Sequence, residues 1–248
     1  MPFSQKTLEF LFENRLRDSR EWYEEHKPDY RKYVLEPLQE LVAALAPAML
    51  QIDGQFVSEP RVGRTISRIR RDTRFSRDKS LYRDHMWIIF KRGQMYSTEI
   101  PGLYFEVNCD GFAYGGGFYD NSTGYMKCMR ELVERQDAAY LRAQEAYAAQ
   151  KVFRMEGATF KRPRYGHLPP EPAQWMEHRN ICFTAQSTDM DLLFSDRLAA
   201  GLIRDFRKLG PIYDFLLRVA LTNQQAEQEN AARSLGLRPG EPEGEGWD

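Results

Sequence analysis

Cysteine is scarce in this chain, long apolar runs are missing, and no histidines stand at metal-ligand spacing. The three cysteines, Cys109, Cys128 and Cys182, lie far apart and are odd in number. That excludes a disulfide framework and a Cys-rich zinc site. No window approaches the roughly eighteen consecutive apolar residues of a membrane span, and Met86 to Phe90 is only strand-length. The start, Met1-Pro-Phe-Ser-Gln-Lys6, has no basic region followed by an apolar run, so no signal peptide is expected. His26, His85, His167 and His178 show no His-x-x-x-His pattern, which leaves no expected metal. There is no Gly-x-Ser-x-Gly elbow and no internal repeat. These absences point to a cytoplasmic protein with no cofactor and no membrane partner; they leave the oligomeric state open.

The residues that are present can build a core. At 248 residues, with 42% hydrophobic and 13% aromatic content, the chain is globular rather than disordered. The first fifty residues read as helical. Ser4 caps a short helix with Leu8, Leu11 and Phe12 on one face, and Arg20 to Lys27 forms a second amphipathic piece. Pro28 opens a third helix, which restarts or kinks at Pro37. Between Val62 and Tyr119 the period changes to two. Thr65–Arg71, Met86–Lys91, Leu103–Cys109 and Phe112–Phe118 read as strands, and Asp110-Gly111 marks a hairpin between the last two.

Helix returns over Asn121 to Gln150. A short strand is expected near Val152 to Met155 and another near Ile181 to Ala185, with a helical turn at Ala173 to His178. Two closing helices follow, Asp196–Lys208 and Pro211–Glu229. The expected fold is α+β: one central, mostly antiparallel sheet flanked by N-terminal, middle and C-terminal helices. Residues 1–236 form one domain, and 237–248 read as a disordered acidic tail.

Charge is the least even feature. Eleven Lys and Arg lie between Arg61 and Arg92 against Asp72, Asp78 and Asp84 alone. The window is therefore about +8 in a chain whose net charge is −1. Packed like charges repel, so such a cluster calls for an anionic ligand or internal ion pairs. If Arg68 to Arg71 is extended, Arg68 and Arg70 share one face while Ile69 and Arg71 share the other. An inward arginine is tolerated only if paired. One reading is a lattice in which Arg71, Arg74 and Lys79 pair with Asp72 and Asp78 and pin a loop. The other is that Arg68, Arg71, Arg74, Ser76 and Lys79 converge on a phosphate or carboxylate, whose geometry the arginine fork matches.

Two further clusters join the candidates. Gly115-Gly116-Gly117 precedes the Asn121 helix and could offer backbone donors to an anion, or could mark a bulge or tight bend. It matches neither phosphate-binding loop pattern. Lys161, Arg162, Arg164, Tyr165 and His167 form a smaller basic cluster in a Pro-rich loop. In Trp22-Tyr-Glu-Glu-His26, Glu24 and Glu25 read as solvated or as counter-ions to the basic window.

Arg20-Glu-Trp-Tyr-Glu-Glu-His-Lys27 and Arg68-Ile-Arg-Arg-Asp-Thr-Arg-Phe-Ser-Arg-Asp-Lys79 with Tyr82 resemble blocks of a conserved hypothetical family of bacteria and fungi, domain of unknown function 2461 (DUF2461). Gly115 to Phe118 and Lys161 to His167 resemble its later blocks. Leu81 stands where that family's proline is expected, and Arg70 where an aromatic is usual. The resemblance implies a single-domain cytoplasmic protein and brings no assigned activity or catalytic residue.

The resulting expectation is a basic cleft for an anionic small molecule. As an enzyme, it would use Asp72 or Asp78 as general acid/base and Tyr82 as a positioning hydroxyl. The alternatives are a single-stranded nucleic-acid surface, with Phe75, Tyr82 and Trp87 stacking between the cations, and a purely structural lattice in a protein-interaction domain.

Overall fold

Five antiparallel strands form one sheet in the order β1-β2-β3-β5-β4. The structure, a computed structural model, describes residues 3–74, 76–118 and 121–234. The strands are β1 (His85–Lys91), β2 (Gly102–Asn108), β3 (Gly111–Gly117), β4 (Arg154–Glu156) and β5 (Cys182–Ser187). Alternation sets the register: Met86, Ile88 and Phe90 of β1 and Leu103, Phe105 and Val107 of β2 are buried on one face, with Ile88 opposite Phe105. The expected hairpin forms, with Asn108 paired to Gly111. Its turn is Cys109-Asp110, and Gly111 opens β3 at φ +150, where a side chain would collide with the Ser187 carbonyl.

The N-terminal helices are α1 (Gln5–Arg17), α2 (Arg20–Glu25), α3 (Lys27–Tyr30) and α4 (Glu36–Ile52), the last two joined by a π-helical turn over Arg31–Leu35. The disturbance ahead of Pro37 has a definite use. Proline has no N–H to offer the carbonyl four residues back, and the Thr7 hydroxyl of α1 donates to that Tyr33 oxygen at 2.6 Å instead. The missing bond of one helix thus becomes the seat of another.

The middle helix is two: α5 (Thr123–Glu134) and α6 (Ala138–Ala148). Gln136 sits at φ +52, and the Asp137 carboxylate accepts the Ala139 N–H at 2.9 Å to start α6. After α7 (Pro170–Met176) and α8 (Met190–Leu193) comes α9 (Leu198–Ser234), one helix where two were expected. Pro211 removes one hydrogen bond, but Leu209, Ile212, Tyr213, Phe215 and Leu216 around it are buried. That tertiary burial outweighs the local defect. α9 packs against α4, α5, α6 and β3, making it the spine of the core.

The expected strand Thr65–Arg71 is not a regular strand. It pairs through two isolated bridges, Ile66 with Ile88 of β1 and Arg70 with Tyr82 in the segment before β1. Four steps on its side face six on the other, so the ladder cannot stay in phase. Single bonds hold it instead: Ser67 N–H to Trp87 O (2.9 Å), Arg71 N–H to Leu81 O (2.8 Å) and Arg83 N–H to Ile69 O (3.0 Å). Among the described residues no helix is long and apolar enough to cross a membrane. The tail, 237–248, lies outside the described residues, as does Phe75.

Candidate functional site

The basic loop Arg70–Tyr82 is drawn out by the two bonds that tie Arg71 and Arg83 to their neighbours. It then closes onto the corner between α1 and α2. Asp18, at the end of α1 with φ +45, accepts the Leu81 N–H at 2.6 Å and the Tyr82 N–H at 3.2 Å. Tyr82 is 2% exposed and its ring stacks on Tyr23 of α2, with centroids 5.0 Å apart. Burial pushes the Tyr82 phenol above its ordinary value. The two motifs that resemble family blocks, Arg20 to Lys27 and Arg68 to Tyr82, therefore meet in space.

Within the loop, Arg71 is the inward arginine anticipated from alternation, with a side chain 21% exposed. Its guanidinium bonds Asp78, the Ser80 hydroxyl at 2.7 Å and the Ser76 hydroxyl at 3.3 Å. Arg15 of α1 reaches the same Asp78 oxygen at 3.0 Å. The Ser80 N–H and hydroxyl and then Arg71 hold the Asp78 carboxyl well below the usual carboxylate range. Asp72 behaves differently. It takes a bidentate grip on Arg74, at 3.0 and 2.7 Å, but the two side chains are 57% and 77% exposed. Those hydrogen bonds bring the Asp72 carboxyl down to about 2. Lys79 donates to the Thr73 carbonyl at 2.8 Å.

Of the residues nominated from sequence, Arg71, Arg74, Ser76 and Lys79 thus find partners within the loop itself, Asp72 and Asp78 among them, and of these cations only Arg71 is turned inward. Arg68 is exposed. Arg70 and Arg77 are exposed as well, and none of these three forms an ion pair among the described residues. Arg15 and Asp18, which anchor the loop from α1, had no local signal, because their partners lie more than sixty positions away in the chain.

The glycines lie elsewhere. The basic loop leads into the His85 end of β1, whereas register places Gly115–Gly117 opposite Tyr104, Leu103 and Gly102, toward the Lys91 end. β3 is an interior strand, so its backbone groups serve two ladders and offer no donors to an anion. The triplet serves a close approach: a Cβ on Gly115 would run into the carbonyl oxygen of Phe183 on β5. The Lys161–His167 loop is held by Glu177, which accepts the Arg164 N–H at 2.7 Å and the Tyr165 N–H at 2.6 Å, while Arg130 donates to Met176 O (3.0 Å) and His178 O (2.6 Å) and lies over Phe160 and Tyr165. Arg164 stacks on Phe160 at 4.0 Å, so that cluster is half structural.

A first prediction follows from the difference between the two aspartates. Arg71→Ala leaves Asp78, Ser76 and Ser80 without their common partner, and it is expected to lower the melting temperature and expose the loop to limited proteolysis. Asp72→Ala breaks a solvent-screened pair and one local, exposed bond from the Arg74 N–H, and is expected to melt close to wild type. Equal melting of both variants would show that the Arg71 lattice holds nothing.

Among the described residues no group of three His, Cys, Asp or Glu is placed to hold a metal ion. No curated protein and no solved structure matches the chain. The family profile of a conserved hypothetical protein, DUF2461, matches residues 6–215, a span that includes the α1–α2 corner, the basic loop and the whole sheet, and the chain belongs to that family.

Proposed function

We propose that the outer side of the Arg68–Tyr82 segment binds a small anion, a phosphate- or carboxylate-bearing molecule. Arg68, Arg70 and Arg77 are its docking cations, and the Arg71 lattice is the rigid support beneath them. The observation that carries this reading is the division of labour within the window. Arg71, Arg74 and Lys79 have acceptors on the loop, while these three are exposed with no carboxylate at ion-pair distance among the described residues. Arg68 and Arg70 flank the buried Ile69, and both are exposed. Arginine forks held on a fixed backbone favour planar, bidentate anions.

Binding is better supported than acid–base chemistry. A general base works best with a pKa near the operating pH. Asp72 is drawn down to about 2 and Asp78 lower still, so both act as fixed counter-ions. The nucleic-acid alternative has less support, because Tyr82 is buried against Tyr23 and presents no face to a base.

Isothermal titration with pyrophosphate, citrate and a mixed single-stranded oligonucleotide tests the proposal, comparing wild type with the double variant Arg68→Ala/Arg70→Ala. Both residues are exposed, so the fold is retained. Hydrogen bonds to charged groups contribute about 1.5–3 kcal/mol each. Saturable binding of pyrophosphate or citrate is therefore expected to weaken by about tenfold or more. Binding that is absent in wild type, or equal in the variant, refutes the proposal. Preference for the oligonucleotide, with a steep salt dependence, would move the site to the nucleic-acid class.

A further inference from the structure

A second charged surface lies on the connection between β4 and α7, which leaves the sheet at the edge opposite β1. Its backbone is fixed at several points. Thr159 bridges to His178, and the Phe160 N–H bonds the Glu177 carbonyl at 3.0 Å. One oxygen of the Glu177 carboxylate then accepts the N–H groups of Arg164 and Tyr165. Pro163, Pro169 and Pro170 restrict the chain between and beyond these bonds. Little conformational freedom is left to lose when a partner docks, which favours binding.

The side chains carry an excess of one sign. Lys161, Arg162, Arg164 and Arg179 are exposed, and none of them forms an ion pair among the described residues. Arg179 joins this surface through its N–H, which bonds the Ala158 carbonyl at 2.6 Å. Arg130 adds a fifth charge beneath them. Burial and, after it, the charge of Arg164 draw its guanidinium down from its ordinary value. Like charges gathered without a counter-ion repel, and a bound anion relieves that repulsion. The rings indicate which class of anion. Arg164 lies over Phe160 at 4.0 Å, and Arg130 lies over Phe160 and Tyr165 at 5.1 and 6.0 Å. Ring faces that already carry guanidinium groups make poor stacking platforms for nucleic-acid bases. What the loop presents outward is charge on a fixed backbone, which suits carboxylates.

We propose that the Phe160–His167 loop is a docking surface for an acidic peptide segment of a partner protein. Lys161, Arg162 and Arg179 are its mobile contact cations, Arg164 is a cation held in place on Phe160, and Glu177 is the residue that sets the loop. Exposed charges of this kind govern encounter rate and specificity more than depth of binding. The complex is therefore expected to form quickly and to weaken as salt screens the charges.

The test is fluorescence anisotropy at low salt with a labelled deca-glutamate peptide, set beside a glycine–serine peptide of equal length and a single-stranded oligonucleotide. The protein is wild type, Lys161→Ala/Arg162→Ala, Glu177→Ala or Arg68→Ala/Arg70→Ala. The expected result is saturable binding of the glutamate peptide alone, weakened roughly fivefold in the Lys161/Arg162 variant and unchanged in the Arg68/Arg70 variant. Glu177→Ala makes the surface more positive but frees the loop, so binding is expected to weaken there as well. No saturable binding, equal losses in the two double variants, tighter binding in Glu177→Ala, or preference for the oligonucleotide overturns the proposal. Lys161 and Arg162 are exposed, so their variant keeps its fold and decides the matter even where Glu177→Ala does not fold. The Arg68/Arg70 variant keeps this outcome separate from that of the anion surface on the basic loop.

Discussion

Asp53→Ala is expected to destabilise the protein by about 3 kcal/mol, toward the low end of what breaking a buried charge pair does. Asp53 ends α4 with its side chain 4% exposed. It accepts from Arg92 at 2.6 and 3.1 Å, from the Tyr213 hydroxyl at 2.5 Å and from the Gln55 N–H at 2.9 Å. One carboxylate thus ties α4, the end of β1 and the middle of α9. Removing it strands a buried phenol, which costs about 1–3 kcal/mol alone, and leaves a guanidinium that is only 26% exposed. That residual access to water sets the loss at the lower end. Tyr213→Phe removes one bond and leaves the ion pair, so its loss should be near 1 kcal/mol. Urea denaturation of both variants measures this, and an Asp53→Ala midpoint equal to wild type would refute it.

The same group predicts a pH dependence. Burial pushes the Asp53 carboxyl up, but the bonds from Arg92, Tyr213 and Gln55 outweigh it, and the net position lies below the ordinary 3.8. The unfolded chain therefore takes up this proton first as the medium is acidified. The stabilisation is complete above the unfolded value and is lost as pH falls through the lower folded one. Asp53→Asn should flatten that part of the acid limb.

Gly115→Ala is expected to produce the second large effect, on the order of 3 kcal/mol, the upper range for overpacking. The added methyl would meet the Phe183 carbonyl oxygen and lie 3.0 Å from the Thr184 Cα, all backbone of the neighbouring strand. Backbone cannot step aside without disturbing the ladder between β3 and β5. Gly116→Ala is the control: its methyl meets the Leu103 side chain at 2.6 Å, and a leucine end can rotate away. The prediction is a clear drop in denaturation midpoint at 115 and a smaller one at 116. Equal effects would mean that the strands separate more easily than their packing implies.

These residues also mark how far the sequence could be read. The alternating runs of β1, β2 and β3, the Asp110-Gly111 hairpin and the inward direction of Arg71 are all local properties, set by a period of two and a turn preference, and they were legible. The continuity of α9 through Pro211 was not, because it depends on side chains from four other elements. The partners of Asp53 and Asp78 were equally invisible. Arg92 is 39 positions from Asp53, Tyr213 is 160 away, and Arg15 is 63 from Asp78. No spacing rule joins residues so distant. In the basic window, sequence alone presented a lattice and a ligand site as rivals. Geometry assigns the lattice to Arg71, Ser76, Asp78 and Ser80 and leaves the outward arginines for the proposed anion.

The strand order has a kinetic consequence. β1, β2 and β3 are joined by short connections and can zip as a meander, each step closing a small loop. β5 must find β3 only after the segment from Phe118 to Ile181 has been gathered, which includes α5, α6 and α7. Closing that long loop carries the larger entropy loss and delays its reward. The three-stranded meander should therefore precede the β3–β5 seam in folding. Gly115 stands on that seam, at the step expected to limit the rate.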